Sequence, residues 1–409
     1  MGFFKTSLVS LCTIACLSSF TVFAEFSFDD QMGNIESQFD AMDRQFENDF
    51  QQRDEQLEKE FTILDESMER AYQKFSKAIS KSWGSDDTKL PTPKVWVDYD
   101  ENLSSRRVLD YEQGSLTVEK IIHPGESEFL ALQSMQQMVY SASRDTVKDL
   151  AQKDQALNYA KKLASQQGVF FQEPYLPSTY KAKPVLQNIL PKKLPKKILP
   201  KQVKKTNIVG NDGKKRIKIS YKIPFTKGYK QKGAKKYAQE VMKEAKRRKI
   251  DPSLVLAIMQ TESAFNPRAT SPVPAFGLMQ LVPRSGAMDA YQYVFRQKRL
   301  VEPEYLYSPS NNVELGVAYL KILDSRYLKR ITNKQSRLYC VIAAYNTGAG
   351  NVAKTFTGKT RIKPAAKIIN KMTPDEVYNY LRKHLPYEET QRYIVKVTKA
   401  KKKYSNWDR

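Results

Sequence analysis

Cysteine and histidine are scarce in this chain, which has three cysteines and two histidines among 409 residues. Cys12 and Cys16 fall near the N-terminus, so Cys340 has no partner in the rest of the chain for an intramolecular disulfide. Its apolar neighbours predict a buried structural thiol rather than a nucleophile. Neither His123 nor His384 stands beside a cysteine or a suitably spaced carboxylate, so we expect no metal site and no cofactor.

Acidic residues are also in short supply: 68 lysines and arginines outnumber 44 aspartates and glutamates, which leaves a net charge of +24. Such a balance favours anionic partners, namely nucleic acid, an acidic membrane surface or a carboxylate-bearing polymer such as a cell wall. No recognisable nucleic-acid-binding motif accompanies the charge, and the N-terminus has the features of an export signal. We therefore expect no nucleic acid as a partner.

Long apolar stretches are confined to the N-terminus. Lys5 and the mostly apolar run from Ser7 to Phe20, followed by Val22-Phe23-Ala24, predict a signal peptide over residues 1–24 and a periplasmic protein. The run is short for a membrane span of about 20 residues, and no later segment is long and apolar enough. A second interpretation stays open, because Thr13-Ile14-Ala15-Cys16 loosely resembles a lipoprotein cleavage box and would attach the protein to the outer membrane.

Residues 25–83 have the pattern of one long amphipathic helix. Apolar residues recur at alternating steps of four and three, as in a coiled-coil heptad: Phe28, Met32, Ile35, Phe39, Met42 and Phe46. A further step of four to Phe50 shifts the register, and the stripe resumes from Leu57 to Phe75. Two interpretations are open. The helix is either a coiled coil that binds a second copy or a partner through residues 26–80, or it folds back on its own chain.

Beyond this helix the apolar period changes to two, which predicts a small α+β module over residues 88–175. Three strands are expected, with Gly114 in the turn of a hairpin: 95–99, 107–111 and 115–119. A helical stretch follows over residues 126–167. A later strand, at 214–225, completes the module.

A stretch rich in lysine and proline, residues 176–207, precedes this last strand. Pro191, Pro195 and Pro200 alternate with paired lysines, a spacing that prevents helix and favours extended, solvated backbone. The stretch is predicted to be a linker. It is either a charged spacer or a segment that holds an anionic polymer.

The region from residue 229 to 409 is helical in pattern and has one carboxylate on an apolar stripe. Asp251-Pro252 begins a helix, with Asp251 predicted to cap it, and Glu262 lies four residues after Ile258 on the same face. Burial raises the pKa of a carboxyl group, as a general acid at neutral pH requires. The structural alternative is a helix-end glutamate that bonds to nearby backbone or pairs with Arg268.

Three further features lie in the same region. The turn Phe276–Gln280 follows a loop rich in serine and proline that begins at Ser271. A second apolar stripe ends at Tyr345, which brings a hydroxyl group to the buried end of its helix. Residues 346–350 then stop that helix with flexible turn residues. Taken alone, Tyr345 is better explained as a core aromatic residue than as a catalytic partner.

Taken together, four short motifs resemble the soluble lytic transglycosylase (SLT) domain in their order and spacing: Glu262-Ser263, Gly277-Leu278-Met279-Gln280, Ala344-Tyr345-Asn346, and Glu389-Thr390 with Tyr393. The resemblance covers roughly residues 210–405 and, through the strands at 90–125, extends to the N-terminal module of a membrane-bound branch of that family. It implies a mainly α protein with a lysozyme-like helical catalytic domain over residues 229–409. The small α+β module and the N-terminal coiled-coil-like helix precede that domain.

The resemblance implies an activity on peptidoglycan glycan strands. The β-1,4 bond between N-acetylmuramic acid and N-acetylglucosamine would be cleaved without water, to leave a 1,6-anhydromuramoyl end. Glu262 would act first as acid and then as base, and one carboxylate suffices because the substrate N-acetyl group stabilises the intermediate. Six further residues are implied, as sugar contacts near the cleaved bond (Ser271 and Gln280), in shaping the groove (Met279), in orienting Glu262 or the acetamido group (Tyr345), and in supporting the groove wall (Glu389 and Tyr393).

Two other functions are compatible with the same residues. The first is a hydrolase similar to goose-type lysozyme, which would need a positioned water and usually a second carboxylate, for which Asp289 is the candidate. The second is a non-catalytic wall-binding or scaffold protein whose working part is the coiled coil. The mass of the products separates the enzymes, because an anhydro end is one water lighter than a reducing end.

Overall fold

The computed structural model describes residues 28–123, 125–170, 183–271 and 274–408. The chain divides into a first unit, residues 1–56, and a second unit, residues 57–409. The predicted signal peptide and the cleavage box at Cys16 lie outside the described residues. Within the described ranges, none of the helices is long and apolar enough to cross a membrane.

Helix α1 (Phe28–Trp83) confirms the long amphipathic helix predicted from the heptad pattern. In the second unit its apolar stripe is buried within the same chain. Leu57, Phe61, Leu64 and Met68 pack with Leu157 and other residues of one hydrophobic core. The alternative in which the helix folds back on its own protein is therefore the one observed from residue 57 onward. A stripe of this spacing serves a core as well as a coiled-coil seam.

A five-stranded antiparallel sheet follows, in the order β1-β2-β3-β5-β4. Its strands are β1 (Val95–Tyr99), β2 (Ser105–Asp110), β3 (Ser115–Ile122), β4 (Lys204–Val209) and β5 (Lys215–Pro224). The β2–β3 turn closes through Gly114, whose φ of 74° favours glycine. Strand β5 pairs with β3, as predicted. The first residues of β4 fall in the predicted linker, and that prediction is wrong there, since Lys204–Val209 pairs with β5.

Helices α2 (Glu128–Arg144), α3 (Val147–Lys153) and α4 (Gln155–Ser165) replace the single predicted helical stretch. The side chains of Thr146 and Asp154 accept backbone N–H bonds that start α3 and α4. One face of the sheet packs on α2 through Trp96 and Leu116, while the other face packs on the end of α1 through Trp83.

The described part of the Lys- and Pro-rich stretch does not form a solvated spacer. Leu190 and Ile198 are buried in the core shared by the sheet and α2. Gln136 Nε2 donates to the carbonyl oxygen of Pro195 at 2.7 Å and fastens the stretch to α2. The prediction of a linker is wrong over residues 183–207, because an apolar residue at every fourth position holds a proline-rich backbone against the module.

Eleven helices make up the described part of the region after the sheet, which confirms the mainly helical fold. They are α5 (Tyr229–Lys236), α6 (Ala238–Arg248), α7 (Pro252–Ser263), α8 (Met288–Phe295), α9 (Pro303–Tyr307), α10 (Pro309–Ile322), α11 (Lys334–Thr347), α12 (Ala349–Thr357), α13 (Ile362–Ile369), α14 (Pro374–His384) and α15 (Glu388–Lys403). Helix α7 is the most buried of them, since residues 253–259 are all inaccessible. Helix α15 packs against it through Ile394 and Val397, and Cys340 is buried in the same core, as expected.

Candidate active site

Helix α7 is capped from a distant part of the chain. Asp251 makes no side-chain capping bond and pairs instead with Lys401 Nζ at 2.9 Å. The carboxylate of Asp408 takes the capping position, where it accepts a bond from the backbone N–H of Ser253 at 2.9 Å and another from its hydroxyl. The predicted helix start is confirmed, but the predicted capping residue is wrong.

Glu262 is half-buried in the last turn of α7, just before the backbone passes from right-handed to left-handed conformation. The next two residues after Ser263, namely Ala264 and Phe265, have φ angles of 50° and 68°. Left-handed backbone at non-glycine residues is costly and clusters at functional sites. Ser263 Oγ lies within 2.7 Å of the carbonyl oxygen of Leu278 and joins the end of α7 to the Gly277–Gln280 turn.

The environment of Glu262 raises its pKa from 4.5 to about 7. Burial is the main cause, because it disfavours the charged carboxylate. The hydroxyl of Tyr393, on α15, donates to Glu262 Oε1 at 2.6 Å and lowers the pKa. The negative charge of Glu389 raises it and the positive charge of Lys94 lowers it. Near neutral pH the group therefore exists in both protonation states, as an acid that must later act as a base requires.

Arg268 does not pair with Glu262, so the ion pair expected in the structural alternative is wrong. Its guanidinium donates to Asp154 Oδ2 at 2.8 Å and stacks 3.6 Å from the ring centre of Tyr307. Asn266 Nδ2 donates to the carbonyl oxygen of Pro93 at 3.2 Å. The segment that follows Glu262 is thus bonded to the sheet module at two points.

Of the two tyrosines in the recognised motifs, Tyr393 and not Tyr345 is bonded to Glu262. The hydroxyl of Tyr345 donates to the carbonyl oxygen of Met279 at 2.7 Å and not to Glu262. Tyr393, predicted to support the groove wall, makes the hydrogen bond with Glu262. Burial and the nearby charge of Glu262 raise the pKa of both phenols well above 10, so both remain hydrogen-bond donors.

Met279 has none of its surface exposed and packs in the core. Its side chain lies against Gly316, where a Cβ atom would collide with the Met279 sulfur. Its predicted role in shaping the groove is therefore wrong for the side chain. Gln280 is half-buried and has a φ of 48°. Its Nε2 donates to the carbonyl oxygens of Ala269 and Gly277, both at 3.1 Å, and its Oε1 has no donor among the described residues.

The two remaining predicted site residues, Ser271 and Glu389, differ in their contacts with the rest of the protein. Ser271 Oγ accepts from the backbone N–H of Ala275 at 3.1 Å and closes the loop around it, of which residues 272–273 are not described. Glu389 is exposed in the first turn of α15. Its neighbour Thr390 is buried and donates to Asn346 Oδ1 at 2.6 Å, so two of the recognised motifs bond directly to each other.

Two positioning residues were missed from the sequence. Asn312, buried on α10, accepts from the backbone N–H of Met279 at 2.8 Å and donates to the carbonyl oxygens of Phe276 and Leu306. Lys94 lies just before β1, bonded to Glu112 at 2.7 Å, and acts on Glu262 by its charge. Neither residue belongs to a recognisable motif, and each acts across a long separation in the chain.

Asp289, the second carboxylate that the hydrolase alternative would use, is not among the groups whose charge acts on the pKa of Glu262. That residue lies on α8, where Tyr327 donates to it at 3.4 Å, and its half-buried pocket is lined by residues of α8, α10 and the 326–327 segment. The carboxylate whose charge reaches Glu262 is Glu389. Within the described residues, no group of three or more histidine, cysteine, aspartate or glutamate side chains is placed to bind a metal ion.

Comparison with known proteins gives two family matches. The Transglycosylase SLT domain matches residues 239–368, and the N-terminal domain of membrane-bound lytic murein transglycosylase C matches residues 57–172, beginning within α1. The lytic transglycosylase Slt of Pseudomonas aeruginosa is 28% identical, but its match covers 41% of this chain and 24% of that one with a TM-score of 0.32. This structural match is local, and the assignment does not depend on it.

Full-length relatives are more informative. Membrane-bound lytic murein transglycosylase C of Klebsiella pneumoniae subsp. pneumoniae is 31% identical over 331 residues, which cover 81% of this chain and 87% of the relative. The protein of that name from Photorhabdus laumondii is 32% identical over 337 residues, which cover 81% and 88%. With both of its modules matched and relatives of this similarity along most of its length, the chain belongs to the membrane-bound lytic murein transglycosylase C family.

Proposed function

We propose that Glu262 is the single catalytic acid and base with which this lytic murein transglycosylase cleaves peptidoglycan. The observation that supports it is the position of Glu262, half-buried at the end of α7 with a pKa of about 7 and a phenol hydrogen bond from Tyr393 at 2.6 Å. The substrate is the β-1,4 bond between N-acetylmuramic acid and N-acetylglucosamine.

The reaction needs one proton carried in two directions. Protonated Glu262 donates its proton to the bridging oxygen while the bond from that oxygen to the muramoyl C1 breaks. The resulting Glu262 carboxylate then removes the proton from the muramoyl C6 hydroxyl, whose oxygen bonds to C1 and gives the 1,6-anhydro end. The substrate acetamido group stabilises the charge at C1 between the two steps, a role that a second carboxylate has in ordinary glycosidases. Glu262 finishes protonated, ready for the next cleavage.

Three residues support the reaction without exchanging protons. Tyr393 donates to Glu262 Oε1 and stabilises the carboxylate that forms between the two proton transfers. Gln280, whose Nε2 donates to the carbonyl oxygens of Ala269 and Gly277, lies in the turn that would contact the sugar near the cleaved bond. Ser271 lies at the other end of the same loop and contacts the sugar near the cleaved bond.

The location proposed for the chain is the periplasm, at the inner surface of the outer membrane. Net charge of +24 and the export pattern of residues 1–24 favour a place beside an anionic wall and an anionic membrane. Self-association through α1 has less support. The stripe from Leu57 onward is already buried within this chain, which leaves at most residues 28–56 for a partner.

The decisive experiment digests purified sacculi with the wild type and with Glu262→Gln. Glutamine keeps the shape of the side chain but cannot donate or accept the catalytic proton, so we expect folding and wall binding without release of anhydromuropeptides. Mass spectrometry of the wild-type products should show ends one water lighter than reducing ends. The matched control is Glu388→Gln, an exposed carboxylate in the first turn of α15. Turnover retained by Glu262→Gln would refute the assignment, and reducing ends would support a hydrolase.

A further inference from the structure

One outer surface of the sheet module combines exposed lysines with exposed apolar side chains. The lysines come from the stretch fastened to α2: Lys192, Lys193, Lys196, Lys197, Lys201 and Lys204. We call these six residues the lysine face. The apolar side chains beside it lie on α2 and in the same stretch: Phe129, Leu130, Tyr140 and Leu199.

The lysine face is held in place by the core beneath it. Leu190 and Ile198 are buried against α2, and Leu194 packs on the same core, so the lysine pairs between them are left exposed. The carbonyl oxygen of Pro195 accepts from Gln136 Nε2 at 2.7 Å and from the Tyr140 hydroxyl at 3.3 Å. The charges are therefore fixed on one surface and not spread along a free chain.

Acidic residues are absent from the part of the sequence that forms the lysine face. No acidic residue occurs in the sequence from residue 183 to residue 211. The neighbouring Lys205 pairs with Glu128 at 2.8 Å, which joins the first turn of α2 to the start of β4. Among the described residues, no carboxylate lies within 4.0 Å of an amine of the lysine face.

The apolar part of the surface is unusual for a side that faces water. Phe129 is 68% exposed and Leu130 is 56% exposed, at the beginning of α2 and beside the Lys205–Glu128 pair. Further along α2 the exposed residues Gln133, Gln137 and Tyr140 are uncharged, and the exposed last residue, Arg144, is basic. Exposed aromatic and aliphatic groups bordered by lysine are the composition by which proteins rest on a lipid surface, with the apolar groups at the headgroup level.

We infer that this surface binds an anionic lipid bilayer. Lysines attract the negative headgroups, while Phe129 and Leu130 enter the interface between headgroups and acyl chains. A glycan strand could use the lysines and one aromatic ring, whereas the adjacent exposed aliphatic side chain of Leu130 favours a lipid surface. The surface belongs to the sheet module and contains none of the residues around Glu262, so lipid binding and catalysis are separable.

The test measures co-sedimentation of the full chain with lipid vesicles. Every protein carries Cys16→Ser, so that an acyl chain cannot contribute to binding. The vesicles contain equal parts of phosphatidylglycerol and phosphatidylcholine, or phosphatidylcholine alone, and purified sacculi are a third target. The lysine-face variant is Lys192→Gln, Lys193→Gln, Lys196→Gln and Lys197→Gln. The matched control changes four exposed lysines of the catalytic region: Lys354→Gln, Lys359→Gln, Lys363→Gln and Lys367→Gln.

We expect the protein with an intact lysine face to bind the anionic vesicles and not the neutral ones. Salt should weaken this binding. Because each lysine near an anionic surface contributes additively, the lysine-face variant should lose on the order of 100-fold or more in partition coefficient at low salt. The control variant should stay close to the parent protein. Phe129→Ser should weaken the binding that remains at high salt.

Three outcomes would overturn the inference: equal binding to both kinds of vesicle, equal loss in the two lysine variants, or lysine-dependent binding to sacculi with no binding to vesicles. The last would assign the surface to the cell wall. Release of anhydromuropeptides from soluble glycan fragments is measured for each variant in parallel. If a variant loses lipid binding but releases anhydromuropeptides at an unchanged rate, the loss concerns the lipid surface and not the proposed catalysis.

Discussion

Removing the hydroxyl of Tyr393 should move the pH dependence of the enzyme upward. In Tyr393→Phe, Glu262 loses the 2.6 Å hydrogen bond that favours its charged form, so its pKa rises from about 7. A hydrogen bond to a charged group contributes about 1.5–3 kcal/mol, and one pKa unit corresponds to about 1.4 kcal/mol. Because Glu262 is half-buried and partly screened, the lower end applies, and we expect a rise of roughly one unit.

The sign of the effect follows from the role of Glu262. In the proposed mechanism cleavage begins from the protonated acid, so activity should fall as the pH rises through the pKa of Glu262. A higher pKa shifts this alkaline limb of the kcat/KM profile to higher pH. The maximum rate should fall at the same time, since the carboxylate that takes the second proton is less well stabilised. The assay is anhydromuropeptide release from soluble glycan fragments across the pH range.

The chain offers a matched control for this substitution. Tyr404 also reaches α7, and its hydroxyl donates to Gln260 Oε1 at 2.7 Å without contacting Glu262. Tyr404→Phe should therefore lose a comparable hydrogen bond and leave the alkaline limb in place. A limb that does not move in Tyr393→Phe, or that moves to lower pH, would refute the reasoning.

The remaining predictions concern charges around the same helix. Glu389→Gln removes a negative charge that raises the pKa of Glu262, so the alkaline limb should move to lower pH, and Lys94→Met should move it to higher pH. Both shifts should shrink at high salt, in kcat/KM profiles measured as above. Asp154→Asn leaves the buried guanidinium of Arg268 without its carboxylate partner and should lower the free energy of unfolding by about 3 kcal/mol, measured by urea denaturation.

Exposed residues provide the controls for these variants. Glu388→Gln changes the neighbouring carboxylate on α15, and its profile should match that of the wild type. Glu66→Gln removes the partner of Arg70 in an exposed pair on α1 and should cost less than about 1 kcal/mol. The electrostatic account fails if Glu389→Gln and Lys94→Met shift the limb in the same direction. It also fails if Asp154→Asn costs no more than Glu66→Gln.

What could be predicted from the sequence was the part of the site that one helix determines. Glu262 continues an apolar stripe, and the spacing that buries Ile258 also half-buries the carboxyl group and raises its pKa. Position along a helix does not say which of two tyrosines reaches the carboxylate. Tyr345 and Tyr393 lie on different helices, and the packing of α15 against both α7 and α11 decides that Tyr393 makes the bond.

Contacts between distant parts of the chain account for most of what the sequence left open, missed or predicted wrongly. The stripe of α1 is equally suitable for a second copy and for the core, and burial of Leu64 against its own chain was not readable from the periodicity. Proline indicated a free linker, but Ile198 is buried and fastens it. The positions of Lys94 beside the site and of Asp154 under Arg268 depend on how the module packs on the catalytic helices, which no local pattern encodes.

The cap of α7 has a consequence for the order in which the enzyme becomes complete. Asp408, which caps the helix that carries Glu262, stands 155 residues after Ser253 in the chain. At a synthesis rate of about 5–20 residues per second, roughly 8–30 s pass between the appearance of the two residues. The helix lacks a cap worth about 1 kcal/mol during that time. A chain that has not yet been synthesised as far as Asp408 therefore carries Glu262 on a helix that lacks this cap.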